Sequence, residues 1–551
     1  MVKIINKVIS SISHNIILTI IVIVYILATL SVITWGIPNP THPFNYHMDE
    51  WHQMMAVKNT FKYGSPNVAG SAHGPMFQFF LTGVFLVPFV ITGLIHPFAI
   101  TSSVDPKSLL ELEKLFIVLR LNTLIFGILS IILLYIIARK YLKINPILPT
   151  LLFTISPVWI ALSNYFKYDI ALMFWVLASL YGFLRYGEKP IRKNFFLAAV
   201  FCALAIATKI SALPLLPLLI LTYFLFTKNK HLPTIFWGII IFIAVFVVTG
   251  MTDAFTQKAG YWEYFVDNLS TTPGTTSNFH LGMLPFFYIW GVIADLTFGR
   301  FIYPLFAVSL ISWIIYLFIR FVKNKTKFIK TIADKQLVLL TASVLLFEIS
   351  FIPLKLYANG NRLLIALPFF VLLVGLFYNL LVKKFNKTIA LVIFIFIIVF
   401  QIKDTFYIQA SKWEPDMRAT SSQWIEKNIK YGTTIGIESI PIYQFLPDLI
   451  INEYYTLQKY PKYSAKYNYI IVDPSTKKLP EIIVLTRTEL NEKWEINSPK
   501  KQLLKRIRGE HYQQVAEFTF PRPIFEIFSN ELNIFSTSVI ASSTITIFEK
   551  K

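Results

Sequence analysis

The sequence predicts a polytopic α-helical membrane protein with about eleven transmembrane helices, extra surface helices, and a small soluble α/β domain after residue 407. Three observations predict it. Apolar runs of about 20 residues recur between residues 15 and 407, the length that crosses a hydrocarbon core. Lys/Arg clusters punctuate those runs, in a chain that is 55% hydrophobic and only 15% charged, with mean hydropathy +0.58. After Lys403-Asp404, charged residues return and β-rich runs appear. The formal charge of +21 falls largely in short loops between spans. It therefore reads as topology and contact with anionic lipid, and no nucleic-acid partner is expected. Cys202 is the one cysteine and lies inside a span, so no intrachain disulfide can form. The first apolar run ends in bulky Trp35-Gly36-Ile37-Pro38, not in a small-residue cleavage site, so no cleavable signal is expected.

Lys3 and Lys7 precede the first span, at about 15–35, and put the N-terminus in the cytoplasm. Residues 36–113 then form an outer loop. Within it, 76–98 is apolar enough to cross. A crossing would place Arg139, Lys140 and Lys143 and every later cluster outside, against the positive-inside rule. We therefore read 76–98 as a re-entrant or surface helix, interrupted by Pro75, Pro88 and Pro97. Ten spans follow, at about 115–138, 147–165, 170–186, 195–208, 211–227, 233–250, 302–320, 336–354, 363–382 and 388–407. This register leaves Arg185 to Lys193, Lys228 and Lys230, Arg320 to Lys330, and Lys383 to Lys387 on the cytoplasmic side. Residues 251–300 form a second outer segment with a surface helix at 284–298.

Residues 1–407 thus form a membrane domain and 408–551 an extracytoplasmic α/β domain. Strands are expected at Thr433–Glu438, Tyr469–Asp473, Val515–Phe520 and Thr544–Phe548. Helices are expected at Asp416–Lys430 and Lys500–Arg508, the first bounded by Pro415 and Gly432.

The most informative stretch runs from Asn45 to Pro75. Asp49 and Glu50 sit side by side between His47 and His52, and a Gly/Pro-rich tail ends in His73-Gly74-Pro75. The topology brings further ionisable groups to the same side: Arg120, Lys167, Asp169, Lys209, Lys355 and Arg362. Charged groups at membrane depth are costly, so they are candidates for function. The bland alternatives are snorkelling of Lys and Arg to headgroups and helix capping by Asp169. His47, Asp49 and His52 fall within six residues and form a candidate site for a divalent metal such as Zn²⁺ or Mn²⁺. On a helix Asp49 and His52 share a face, whereas His47 and His52 do not; the alternative is a pair of interfacial histidines beside Trp51.

An ordered set of short motifs runs through the first half of the chain. It comprises Asp49-Glu50, the Gly/Pro tail, Leu119-Arg120-Leu121, Ala138-Arg139-Lys140, Ser156-Pro157, Lys167-Tyr168-Asp169 and Thr208-Lys209. This set resembles the GT-C glycosyltransferases, and among them the family 39 group of protein O-mannosyltransferases and aminoarabinose-lipid A transferases. The resemblance is strong over about 10–230. It is weaker over 280–370, where Phe286-Phe287-Tyr288 and Lys355 through Asn361-Arg362 carry it. The chain departs from the family in having Lys-Tyr-Asp for Arg-Pro-Asp at 167–169, and Ala72-His73-Gly74-Pro75 for Glu-Lys-Pro-Pro.

The resemblance implies a multi-span enzyme with its active site on the outer or lumenal face. Its partners would be a polyprenyl-phosphate-linked sugar, an acceptor protein, lipid or glycan, and the bilayer. Transfer from a lipid phosphate needs a base for the acceptor's proton and cations for the leaving phosphate. Asp49 matches the family's acid and is the expected base, with Glu50 supporting and Asp169 orienting a cation or loop. Lys167, Lys209, Lys355, Arg362 and either Arg120 or His73 are the expected phosphate ligands. No cofactor is required beyond the candidate metal. The Ile/Lys/Asn-rich usage leans prokaryotic and points to the plasma membrane, or to the endoplasmic reticulum in a eukaryote. The competing reading is a transporter or flippase of a lipid-linked saccharide, which would carry polar residues near mid-bilayer and helices broken in corresponding halves.

Overall fold

The computed structural model describes residues 2–63, 77–100, 104–227, 232–251, 298–299, 301–324, 329, 331–351, 363–384, 387–410, 412–413, 415–437, 446–486, 499–519 and 544–551. The first part is helical: α1 Val2–Leu30, α2 Met48–Tyr63, α3 Phe77–Ile91, α4 Pro106–Ile136, α5 Ile147–Thr154, α6 Pro157–Ser163, α7 Tyr168–Glu188, α8 Arg192–Thr208, α9 Leu215–Phe226, α10 Leu232–Gly250, α11 Ile302–Asn324, α12 Ile332–Phe351, α13 Leu367–Lys384 and α14 Lys387–Ala410. Among the described residues, six helical stretches are long and apolar enough to cross a membrane: Pro106–Tyr141, Tyr168–Glu188, Leu232–Gly250, Ile302–Lys323, Leu364–Lys384 and Lys387–Ala410.

The expected span at 147–165 is instead two short helices. Pro157 supplies no amide hydrogen and opens α6, which breaks the run at Ile155-Ser156. The freed carbonyl of Ile155 accepts from Thr405 Oγ1 (2.5 Å) and Gln401 Nε2 (3.4 Å), both on α14. The break is thus stitched by polar side chains of a neighbouring helix. The stretch at 76–98, expected as a re-entrant or surface helix, holds α3, whose 15 residues reach about 22 Å. The one expected at 284–298 lies almost wholly outside the described residues.

α7 is the centre of the bundle, packed on α4, α8 and α9. Gly182 of α7 lets α8 approach closely: a Cβ there would stand 2.8 Å from Ala198 Cα. Cys202 of α8 is fully buried in this core. The outer helices α10, α11 and α14 turn Phe236, Val248, Ile311, Phe318, Val392 and Phe396 outward. That apolar surface is a liability in water and is matched to a bilayer.

α14 runs to Ala410, three residues past the expected domain boundary at 407, and the C-terminal domain follows. Its sheet has the order β2-β1-β3-β5-β4, with β1 Thr434–Ile437, β2 Asn468–Ile471, β3 Ile482–Thr486, β4 Tyr512–Phe518 and β5 Ile545–Lys550. β1 runs parallel to β2 and β3, and β5 antiparallel to β3 and β4. Helices α15 Met417–Asn428 and α16 Asp448–Lys459 cover one face, and α17 Pro499–Gly509 the other. Asp416 caps α15 by accepting from the Arg418 N–H at 2.9 Å. Gly432, in the left-handed region, follows its end. β3 and α16 are additional to the expected elements. β3 is buried at every position, so its sequence lacks the alternation that marks a half-exposed strand. Phe44, from the loop before α2, inserts into this domain's core and meets Tyr455 edge-on at 4.7 Å.

Candidate active site

The site begins with the aromatic loop between α1 and α2. Gly36 takes a positive φ of 64°, and its carbonyl accepts from the Tyr46 N–H at 2.9 Å. A Cβ at Gly36 would stand 2.6 Å from the Tyr46 ring, so a side chain there would displace it. Tyr46 also stacks on His42 and meets Trp35 edge-on. This fold-back delivers the chain to α2, whose first turn holds Asp49 and Glu50, where the helix dipole favours anions.

Neighbouring positions on a helix diverge by about 100°, and the two acids go separate ways. Glu50 is buried. It takes a two-point contact from Arg120 (Nε 2.7 Å, Nη2 2.8 Å), and also accepts from the Phe166 N–H (2.8 Å) and Asn45 Nδ2 (3.1 Å). Arg120 Nη1 donates to the carbonyls of Ile33 and Trp35, each at 2.7 Å. Burial raises the Glu50 pKa, but the Arg120 charge and these donors outweigh it and hold the carboxyl below its ordinary range. The expectation that Arg120 binds phosphate is therefore corrected. Its donors are turned inward and the group is buried, so it serves as the lock of Glu50.

Asp49 turns instead to Lys167, which pairs with it directly. Lys167 lies between two acids, with Asp169 Oδ2 at 3.6 Å. Asp169 Oδ1 in turn accepts from Lys209 Nζ at 2.6 Å. The four side chains form a row of alternating charge from α2, the turn before α7, α7 itself and the turn after α8. Lys167 and Asp169 are each 1% exposed, whereas Asp49 is 40% and Lys209 20% exposed, so the row is closed in its middle and open at both ends. Burial raises the Asp49 pKa, but the Lys167 charge, with help from His47 and Lys209, holds the carboxyl well below its usual range. For Lys167, burial lowers the pKa, and the Asp49 and Asp169 charges reverse this and hold the amine charged.

The Tyr168 ring lies under both lysines, 4.9 Å from Lys209 Nζ and 5.9 Å from Lys167 Nζ. Its N–H donates to Gln53 Oε1 at 2.9 Å, one helical turn beyond Asp49. Gln53 was not among the expected residues, although its i+4 spacing from Asp49 is the signal that finds it. The metal set is not assembled. His47 packs its ring against Tyr165, and Asp49 is taken by Lys167. Among the described residues no three His, Cys, Asp or Glu side chains come close enough to hold an ion. His73, Lys355 and Arg362 lie outside the described residues.

Residues 107–251, which hold three of the four members of the row, match the family described as dolichyl-phosphate-mannose-protein mannosyltransferase. The GT-C resemblance holds over this stretch. No curated protein sequence matches the chain. Among solved structures, ArnT from Cupriavidus metallidurans bound to undecaprenyl phosphate is 11% identical, with 96% of this chain and 97% of that chain covered, at a TM-score of 0.45. The Archaeoglobus fulgidus oligosaccharyltransferase is 13% identical at 0.43, and the match covers 75% of this chain but only 58% of the archaeal one. The S. cerevisiae protein O-mannosyltransferase Pmt1-Pmt2 complex is 15% identical at 0.31, covering 47% of this chain and 34% of that one. With TM-scores below 0.5, these likenesses carry no argument about chemistry.

Proposed function

We propose that this chain is a membrane glycosyltransferase. It moves a sugar from a polyprenyl-phosphate donor to a hydroxyl or amine of an acceptor protein, lipid or glycan, with Asp49 as the base. The observation that carries this reading is Lys167, held between Asp49 and Asp169 at the buried centre of the charge row. In the transfer, the bond between the sugar's anomeric carbon and the phosphate oxygen breaks. A bond from the acceptor heteroatom to that carbon forms, Asp49 takes the acceptor's proton, and polyprenyl phosphate leaves. Lys167 and Lys209 neutralise the charge that gathers on the phosphate.

A base held below the usual carboxylate range is weak, since general bases work best near the operating pH. The row supplies a remedy. A donor phosphate that draws Lys167 toward itself leaves Asp49 without its main counter-charge. The carboxylate then becomes more basic at the moment the acceptor must be deprotonated. The same contact ties donor binding to activation, so Asp49 is quiet until a donor is present. Asp169 keeps the two lysines in place throughout.

The test is Asp49→Asn in membranes supplied with a polyprenyl-phosphate sugar. Transfer should fall by about 10²–10⁴-fold with donor binding retained. Near wild-type transfer by that variant would remove Asp49 from the chemistry.

A further inference from the structure

Between the membrane helices and the C-terminal domain, three buried basic side chains alternate with three aromatic rings. Arg120 Cζ lies 5.7 Å from the Tyr165 ring. Lys412 Nζ lies 4.6 Å from the same ring and 5.3 Å from the Trp35 ring. Arg418 Cζ lies 5.9 Å from Trp35 and 3.4 Å from the Tyr46 ring. The rungs come from α4, the turn after α6, the segment joining α14 to α15, the end of the first apolar run, α15, and the residue two before α2. Arg120, Lys412 and Arg418 are all buried.

We infer that this ladder makes the C-terminal domain part of the catalytic unit, by fixing the loop that delivers Asp49. This rests on Asp49 being the base. Three features support it. The ladder's ends are locked by carboxylates, Glu50 on Arg120 and Asp416 on Arg418 (Nε 2.6 Å, Nη2 2.8 Å). Its middle rung is not: Lys412 Nζ has no hydrogen-bond partner among the described residues. Burying an amine against rings alone is an expensive way to dock a domain, and an apolar seam would do it at less cost. What the ladder adds is geometry, because a guanidinium over a ring face sets the ring's place and tilt, and the Lys412 amine fills the space between two of the rings.

The rings it sets are those of the Asp49 loop. Tyr46 stands three residues before Asp49, and its hydroxyl donates to Asp448 of the C-terminal domain at 3.1 Å. Asn452 Nδ2 of that domain donates to the Pro40 carbonyl at 3.0 Å, and Phe44 is sunk in the domain's core. The loop is therefore gripped from the domain side at Pro40, Phe44 and Tyr46. From the membrane side it is held by Arg120 on the Ile33 and Trp35 carbonyls, by Ile37 packed with Leu112 and Leu115 of α4, and by His47 against Tyr165. Arg418 and Lys412 are accordingly positioning residues that act through Asp49.

The full-length Arg418→Met and Lys412→Met variants test this. Each should lower kcat by about 10–10²-fold, the scale of a small misplacement, with donor-lipid affinity unchanged, and Arg418→Lys should restore part of the loss. Hydrogen exchange should rise in residues 36–50 but not in α7. In an Asp49→Asn background, Arg418→Met should cost nothing further, because the group it positions is gone. Wild-type kcat in both Met variants overturns the inference, as does a loss that persists in full in the Asp49→Asn background. If Arg418→Met fails to fold, Arg418→Lys carries the same exchange and double-variant readouts. An active Asp49→Asn would instead overturn the assignment of the base, so the two failures are distinguishable.

Discussion

Asp49 and Glu50 are adjacent in sequence and opposite in circumstance. Glu50 sits in a closed system: its cation is buried, and Arg120's donors go to the acid or to backbone carbonyls. Asp49 sits at the open end of a row whose buried centre is a lysine shared by two acids. The first arrangement can only be kept or broken. The second can be rearranged, because a lysine presents a point charge on a flexible stem, whereas the arginine fork fits one carboxylate. The difference between the neighbours is thus one between structure and chemistry, and it is set by which cation each acid meets.

The comparison breaks most visibly at the two acids. Asp49→Asn should show the largest effect, the loss of transfer given above, with thermal stability close to that of the parent chain. Glu50→Gln should do the reverse. It leaves Arg120 buried without its counter-charge, a loss of about 3–5 kcal/mol. This would be read as a lower Tm and less folded protein in detergent, with the activity per folded molecule largely kept. If Glu50→Gln is as stable as the parent and inactive, the two roles are exchanged. Lys209→Met is the milder probe of the open end. It removes one charged hydrogen bond to Asp169 and should weaken donor affinity by about tenfold, with a smaller change in kcat. An unchanged donor affinity would take Lys209 out of the phosphate site.

Proton linkage sharpens the contrast. The folded-state pKa of Asp49 is depressed, so its contribution to stability is present above the unfolded value of about 3.9 and is lost as pH falls through the folded one. The free enzyme should therefore show no acid limb from Asp49 above about pH 4 in kcat/KM. In the donor-bound enzyme Lys167 is engaged by phosphate, so the acid limb of kcat should lie at higher pH. Coincident limbs would show that donor binding does not release Asp49. The smallest effect is expected at the seam. Burial and the Asp416 charge raise Asp448 to about 8, against the pull of Arg418. A raised group gives stability that is full below its unfolded pKa and lost as pH rises through the folded one. Thermal stability of the C-terminal domain should therefore ease downward between about pH 4 and 8, and Asp448→Asn should flatten that slope.

Much of this was legible in the sequence, for identifiable reasons. Apolar runs of membrane-spanning length are strong signals, and α4, α7, α10, α11, α13 and α14 lie where they were expected. Pro157 carried the information that 147–165 would break, but a run of Leu, Ile and Val on both sides masked it. Asp49, Lys167, Asp169 and Lys209, which topology and the family resemblance send to one side, do meet in one row. Arg120 was misjudged because sequence shows a cation near a span end and not the carboxylate, 70 positions earlier, that has already taken it. Lys412 and Arg418 were not singled out, because past Lys403 a basic residue reads as solvated surface. Only the docked domain shows that both are buried among the rings of a distant loop.

Cys202 has a practical consequence. It is the chain's one thiol, and it is sealed in the centre of the bundle, its Sγ beside Ser179 and 3.9 Å from the Leu215 carbonyl. A membrane-impermeant maleimide should leave the parent chain unlabelled, so no background must be engineered away. Single cysteines at Lys143 and Lys384 on one hand, and at Thr60 and Asn452 on the other, should then label from opposite faces of sealed vesicles. Labelling of both sets from one face would invert or collapse the proposed orientation.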